Sequence, residues 1–143
     1  MIRKLQKVDI NRVADIWLKT NLKAHFFIPE QYWISNYEFV KEMLLQAEVY
    51  VYEDDKMIQG FIGVSDEYIE GIFVSDEMQS CGIGKMLLDY IKDKKDKLQL
   101  KVYQKNVRAM SFYQREGFTI QSEEMDEFTR EKEYVMNWES SGI

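Results

Sequence analysis

The stretch Met78-Gln79-Ser80-Cys81-Gly82-Ile83-Gly84-Lys85-Met86-Leu87-Leu88 decides the reading of this 143-residue chain. Two glycines, Gly82 and Gly84, stand immediately before a run of good helix formers. Glycine inside a helix costs about 1 kcal/mol relative to alanine, so its use at a helix start points to a close approach between backbone and ligand. Bare amides at the positive end of a helix dipole favour an anion. The dinucleotide pattern G-x-G-x-x-G would need glycine at position 87, where Leu87 stands. The P-loop pattern would need glycine at position 79, where Gln79 stands, and Met86 replaces its magnesium-holding Ser/Thr. What remains is strand, short loop, Gly-x-Gly, helix. That suits a diphosphate bound without a metal, or an ordinary strand-to-helix turn with glycine caps.

Working outward, Ile2–Val8 alternates and reads as a first strand. Asp9 follows as a helix N-cap, with Ile10, Val13, Ile16 and Trp17 on one helical face. His25-Phe26-Phe27-Ile28-Pro29-Glu30 breaks that helix. A helical pattern resumes over residues 30–48 through Trp33, Tyr37, Val40 and Leu44. Residues 49–65 form a hairpin signal, two β-rich runs around the polar turn Glu53-Asp54-Asp55-Lys56. Tyr68–Val74 is a further strand. After the glycine stretch and a helix over residues 84–97 come a strand at 98–104 and a short helix at 106–116. Gly117 is its C-cap, and residues 118–124 and 131–138 are closing strands. The order is βααββββαβαββ or close to it. That is a mixed α/β (α+β) architecture, one domain over residues 1–143, with helices on both faces of one mostly antiparallel sheet.

Composition narrows the function classes. Apolar residues make up 45% and aromatics 14%, enough for a substantial core. A net charge of −6 argues against general nucleic-acid binding. Cys81 is the only cysteine, so no internal disulfide forms. The N-terminus lacks a signal-peptide core, and no apolar run approaches the roughly 20 residues of a membrane span. The expectation is a cytoplasmic protein without membrane or nucleic-acid partners, monomeric or homodimeric. One histidine and one cysteine make a metal site improbable.

A second stretch, Asn106-Val107-Arg108-Ala109-Met110-Ser111-Phe112-Tyr113-Gln114-Arg115-Glu116-Gly117-Phe118, identifies the first. The family loop Gln/Arg-x-x-Gly-x-Gly/Ala is matched by Gln79, Gly82 and Gly84. The later signature Asn-x-x-Ala-x-x-Phe-Tyr, ending in Gly-Phe, is matched by Asn106, Ala109, Phe112, Tyr113, Gly117 and Phe118. The chain, over essentially its whole length, resembles the GNAT superfamily of acyl-CoA-dependent N-acyltransferases. Residues 25–33 and 100–106 further resemble a bacterial subgroup that includes a peptidyl-lysine acetyltransferase.

The resemblance implies a cosubstrate, acetyl-CoA, and a set of roles. Its pyrophosphate would lie on the amides of Gln79, Ser80, Cys81, Gly82, Ile83, Gly84 and Lys85. Its pantetheine arm would pair like an added strand with Ile72, Phe73 and Val74, which requires a strand splayed from its neighbour. Asn106 matches the position whose side chain meets the arm, and also reads as a helix N-cap. Ala109 and Phe112 complete the signature. Tyr113 matches the general acid for the departing thiolate, or is a core tyrosine beside Phe112. Glu70 is the first candidate for the base that deprotonates the acceptor amine, with Glu67 and a water chain as alternatives. Tyr68 lies one strand period before Glu70, on the same face, as pocket wall or proton relay.

Other residues keep open readings. Lys85, Lys105, Arg108 and Arg115 surround the two signatures, as contacts for the coenzyme's 3′-phosphate or as solvated charges. His25, Phe26, Phe27, Tyr32 and Trp33 line the acceptor site or belong to the core. The lysine-rich run at 92–97 reads as a solvated helix end, and the acidic run at 122–128 as a solvated loop. Cys81 reads as a small loop residue, since the family transfers directly without an acyl-enzyme. The chemistry implied is acetyl transfer to a primary amine, on a protein lysine or a small molecule, in a ternary complex. A non-catalytic coenzyme-binding module and a partner-binding protein are the rival classes.

Overall fold

In the computed structural model, which describes residues 1–79 and 81–141, the strands run in the order β1-β2-β3-β4-β5-β7-β6. They are β1 (Ile2–Lys4), β2 (Glu48–Asp54), β3 (Met57–Ser65), β4 (Tyr68–Val74), β5 (Lys97–Tyr103), β6 (Thr119–Met125) and β7 (Lys132–Glu139). The helices are α1 (Ile10–Ala24), α2 (Glu30–Ser35), α3 (Tyr37–Leu44), α4 (Ile83–Lys92) and α5 (Val107–Arg115). All strand pairings are antiparallel except β4 with β5, which is parallel.

Alternation along the strands sorts the side chains into two cores. On β2, Val49 and Val51 meet Ile10, Val13, Ala14 and Ile16 of α1 and Leu44 of α3. Tyr50 points the other way, into a second core with Ile83, Leu87, Leu88 and Ile91 of α4. These four recur at i, i+4, i+5 and i+8, the stripe that lets one helix face cover a sheet. Full burial of each stabilises the fold by about 1.5–3 kcal/mol. Tyr113 of α5 and Leu98, Leu100 and Val102 of β5 belong to this second core.

The β2–β3 hairpin closes at Asp55 and Lys56, both with positive φ (51° and 63°). That is the two-residue turn whose twist matches the flanking strands, tighter than the four-residue turn expected. On β4 a bulge interrupts the ladder: Gly63 pairs with Gly71 and Val64 with Ile69, leaving Glu70 as the extra residue. The bulge puts Ile69 and Ile72 in the same core although they are three residues apart.

Several expectations are corrected. Three strands, not four, separate the helical N-terminal segment from the glycine loop. β1 stops at Lys4, because the chain enters a 3-10 turn at Lys7–Asp9. Asp9 precedes α1 but does not cap it; its carboxylate accepts from Arg3 (2.8 and 3.1 Å) and from the Gln6 amide (2.8 Å). The helix expected at 30–48 divides at Asn36 into α2 and α3. The run at 92–97 is exposed at Asp93, Lys94, Asp96 and Lys97, but Lys92 is half-buried, donates to the Glu116 carbonyl and sits 5.0 Å from the Trp138 ring centre. The acidic run at 122–128 is mostly strand β6, and its Asp126 accepts from the Tyr103 hydroxyl (2.8 Å).

The Asp9 network gives a stability test. Asp9→Ala removes the acceptor of three hydrogen bonds, two of them from a guanidinium, and is expected to cost about 1–3 kcal/mol by urea unfolding. A cost below about 0.5 kcal/mol would contradict that account.

Candidate active site

The parallel β4–β5 pairing consists of one register pair, Tyr68 with Gln99. β4 pairs with β3 from end to end, and β5 with β7 from end to end. The sheet is therefore two sheets joined at one point, with a gap that opens beyond Tyr68. The backbone groups on either wall of that gap determine what it can hold.

The Ser75 amide donates to Gln59 O (2.8 Å). Antiparallel alternation then turns the Phe73 amide toward β3, and those of Ile72 and Val74 toward the gap. Of the three residues assigned to a pantetheine arm, two thus offer free amides there, while Phe73 instead stacks its ring on Phe61 (4.9 Å). The Val74 carbonyl accepts from Gln79 Nε2 (3.2 Å), and Gln79 Oε1 accepts from Arg108 (2.9 Å). Through this side chain, Gln79 ties the end of β4 to α5.

At the open end of the gap lies the glycine loop. Gly82 is the α4 N-cap, with φ +84° and no side chain capping the first turn. A Cβ built on Gly82 meets nothing within 4 Å, so glycine is required there by backbone conformation, with open space above it. The first helical hydrogen bond closes from Met86 N to Gly82 O. The amides of Ile83, Gly84 and Lys85 precede it and have no helical acceptor. Gly84 is not required by packing: a Cβ there would stand 3.6 Å from Phe112 and 3.9 Å from Val74, ordinary van der Waals contact. Cys81 is exposed, and Ser80 lies outside the described residues. The residues present fit a diphosphate at the helix N-terminus and an extended amide-bearing arm along β4.

Tyr113 is buried, its ring 5.3 Å from Phe112 and 5.5 Å from Phe118. Burial, with a smaller effect from Tyr68, pushes its pKa up, so the phenol stays protonated. Tyr68 is rooted on the opposite side of the sheet yet lies within electrostatic reach of Tyr113. Burial and then the Glu70 charge push its own pKa up to about 12. Glu70, on the bulge, is exposed and lies on the Gly63 face; that face pairs Ser65 with Tyr68. Glu133 of β7 is half-buried, its pKa raised by burial and by Asp126.

The aromatic expectations divide. Trp33 is buried, and its Nε1 is the one buried side-chain polar atom among the described residues with no partner. Phe26 is exposed, and Tyr32 is half-buried. His25 stacks on Trp33 (5.4 Å) and meets Tyr103 edge-on (5.0 Å). Burial lowers its pKa to about 4. Asn106 is both N-cap and cross-link: its oxygen accepts from the Ala109 amide (3.2 Å), and its nitrogen faces His25 Nε2 at 3.1 Å. Lys85 pairs with Glu116 (2.9 Å) and Asp89 (3.5 Å), and Lys105 with Glu131 (3.0 Å). Among the described residues no group of three His, Cys, Asp or Glu side chains gathers in a way that would hold a metal. None of their helices is long and apolar enough to cross a membrane.

Sequence reading missed Asn21, which is buried on α1 and accepts from His25 Nδ1 (2.9 Å). A signal existed: Asn21 is a polar residue four places beyond Trp17, on the apolar stripe. Tyr103 and Asp126 were also missed; nothing local marks a strand tyrosine and a turn aspartate as partners.

A split sheet with an uncapped glycine N-terminus at its mouth suits an acyl-coenzyme. A model described as "Acetyltransferase (GNAT) domain" matches residues 46–120. Peptidyl-lysine N-acetyltransferase YiaC of Escherichia coli (strain K12) is 31% identical over 140 residues, 96% of each chain. Peptidyl-lysine N-acetyltransferase YjaB of the same organism is 24% identical over 121 residues, covering 83% of this chain and 82% of that one. Among solved folds, apo-form YjaB from Escherichia coli superposes with a TM-score of 0.86 (20% identity, 96% and 95% coverage). PaiA N-acetyltransferase from Thermoplasma acidophilum, in complex with coenzyme A, superposes with a TM-score of 0.80 (22% identity, 98% of both chains). The chain belongs to the GNAT family, and its activity is acetyl-CoA-dependent N-acetylation.

Two measurements test the site. Gly82→Glu forces a side chain into positive φ and puts a carboxylate at the helix N-terminus; coenzyme A binding by calorimetry is expected to vanish, and unchanged affinity would refute the loop assignment. The second concerns His25. Its folded pKa lies below the unfolded value of about 6.5. Between pH 6.5 and 4 the unfolded chain therefore takes up a proton that the folded one refuses. Stability from this group is full above pH 6.5 and falls as pH drops toward 4, by at most roughly 3 kcal/mol and less where solvent reaches the ring. The slope of unfolding free energy against pH in that window should be shallower in His25→Phe; an identical slope would contradict the burial of a neutral imidazole.

Proposed function

We propose that the acceptor of this acetyltransferase is the ε-amine of lysine in a protein. The observation that carries the site assignment is the single register pair joining β4 to β5. The lysine preference is supported by the names of two curated relatives, both peptidyl-lysine N-acetyltransferases, and by the acidic groups near Tyr68. Glu70, Glu133 and Glu124 act on the Tyr68 phenol electrostatically against one cation, Lys101, which pairs with Glu124 (2.9 Å); Glu70 and Glu133 remain to attract an ammonium.

Bound acetyl-CoA supplies an acyl carbon activated by a sulfur leaving group. The loop amides of residues 81–85 hold the diphosphate, and the amides of Ile72 and Val74 align the arm. A lysine ammonium with a pKa of about 10.4 must lose a proton before attack, which at neutral pH costs roughly 4–5 kcal/mol. Glu70, directly or through water, takes that proton, and Tyr68 positions the amine. The nitrogen–carbon bond then forms and the carbon–sulfur bond breaks. A gap-facing amide of β4 steadies the charge on the carbonyl oxygen.

Tyr113 faces the departing sulfur. A thiol titrates near about 8.5 and an ordinary tyrosine near about 10, so full transfer of the phenolic proton is uphill. Burial makes it more so. Tyr113 therefore acts chiefly as a hydrogen-bond donor to the developing thiolate, whose proton comes finally from solvent.

Tyr113→Phe is expected to lower kcat roughly a hundredfold while leaving coenzyme A affinity within about twofold. Equal kcat for the two proteins would remove Tyr113 from the mechanism. The acceptor is tested by mass spectrometry, with acetyl-CoA and three substrates: a lysine peptide with a blocked N-terminus, a lysine-free peptide and a small diamine. Acetylation of the lysine peptide is expected; acetylation confined to either of the others would overturn the lysine reading.

A further inference from the structure

Four side-chain and backbone links run in series from α1 to α5. The Trp17 carbonyl accepts from Asn21 Nδ2 (2.9 Å), and Asn21 Oδ1 lies 2.9 Å from His25 Nδ1. His25 Nε2 lies 3.1 Å from Asn106 Nδ2, and Asn106 Oδ1 accepts from the Ala109 amide (3.2 Å). Both ends of this chain are backbone groups whose polarity is fixed. A carbonyl can only accept, so Asn21 presents its nitrogen to Trp17 and its oxygen to His25. An amide N–H can only donate, so Asn106 presents its oxygen to Ala109 and its nitrogen to His25. The imidazole between them must donate from Nδ1 and accept at Nε2. It is the neutral Nδ1–H tautomer, and no other protonation state satisfies both neighbours.

We infer that His25 is a positioning residue for the coenzyme: through its Nε2 it orients the Asn106 carboxamide, linking the acceptor-side loop after α1 to the arm's contact on α5. The inference rests on the reading of Asn106 as a contact of the pantetheine arm. A carboxamide has two N–H donors and an oxygen with two lone pairs. His25 uses one donor and Ala109 one lone pair, so one donor and one lone pair remain, in a plane that can no longer turn. An amide of the arm needs that pair. The His25 ring is itself held by Trp33 on its face and by Tyr103 and Phe27 at its edges. The charged groups nearest this layer are already engaged: Asp126 with the Tyr103 hydroxyl, and Lys105 with Glu131 beside the Phe27 ring.

Two substitutions separate hydrogen bonding from packing. His25→Phe keeps an aromatic ring against Trp33 and removes both nitrogens. His25→Gln sacrifices the ring but returns an acceptor near the position of Nε2. Calorimetric titration with coenzyme A is expected to show about tenfold weaker binding for His25→Phe and a loss within about threefold for His25→Gln. The KM for acetyl-CoA should follow the same order, with kcat changed less than KM. Wild-type affinity in His25→Phe, or equal loss in both variants, would overturn the inference. If neither variant folds, nitrogen NMR of the wild-type imidazole decides: a proton on Nδ1 and a bare Nε2 support it, a proton on Nε2 overturns it. Wild-type protein that neither binds coenzyme A nor releases thiol would strike the transferase reading instead, and the tautomer would still stand or fall by itself.

Discussion

Parallel strands β4 and β5 share one register pair, and everything functional in this molecule follows from how little they share. Peptide groups turned into a gap must find partners in water or in a ligand, since leaving them dry and unpaired costs about 1–3 kcal/mol each. β3 and β7 saturate the outer edges of β4 and β5, so the groups left for a ligand are those turned inward. The bulge at Glu70 works in the same direction. It changes which residues of β4 share a face, and returns Ile72 to the core while the backbone beside it remains open.

The two ends of the gap differ in electrostatics. At its mouth, the amides before Met86 and the dipole of α4 present partial positive charge, and Arg108 donates to Gln79 beside them (2.9 Å). Lys85 and Lys105 are engaged with carboxylates of the chain itself. Deeper, the environment is apolar and phenolic. Tyr113 and Tyr68 hold their protons against any physiological pH, and Glu70, Glu124 and Glu133 lie within electrostatic reach of Tyr68. A diphosphate at one end and an ammonium at the other are the ligands proposed for such a gradient.

Much of this was legible in the residues. β4 was read at its observed bounds, because Tyr68–Val74 is β-rich and bounded by turn residues. The Gly-x-Gly pair and the Asn-x-x-Ala-x-x-Phe-Tyr signature are each local, so spacing alone placed them on a helix start and a helix. The division of α2 from α3 was not legible, since no proline or glycine stands at Asn36 and the apolar period runs through it. The partner of Asp9 was equally hidden: an N-cap reading uses only local sequence, whereas Arg3 competes for the carboxylate from the neighbouring strand. His25 was placed in the right loop. Its partners Asn21 and Asn106 are 4 and 81 residues away, and no periodicity links them.

Hydrogen exchange at the backbone of β4, with and without coenzyme A, tests the central claim most directly. Saturating coenzyme A should slow the amides of Ile72 and Val74 and leave Phe73, already turned to β3, unchanged. Equal rates for all three with and without the ligand, or slowing confined to another strand, would mean that the gap between β4 and β5 is not where the coenzyme lies.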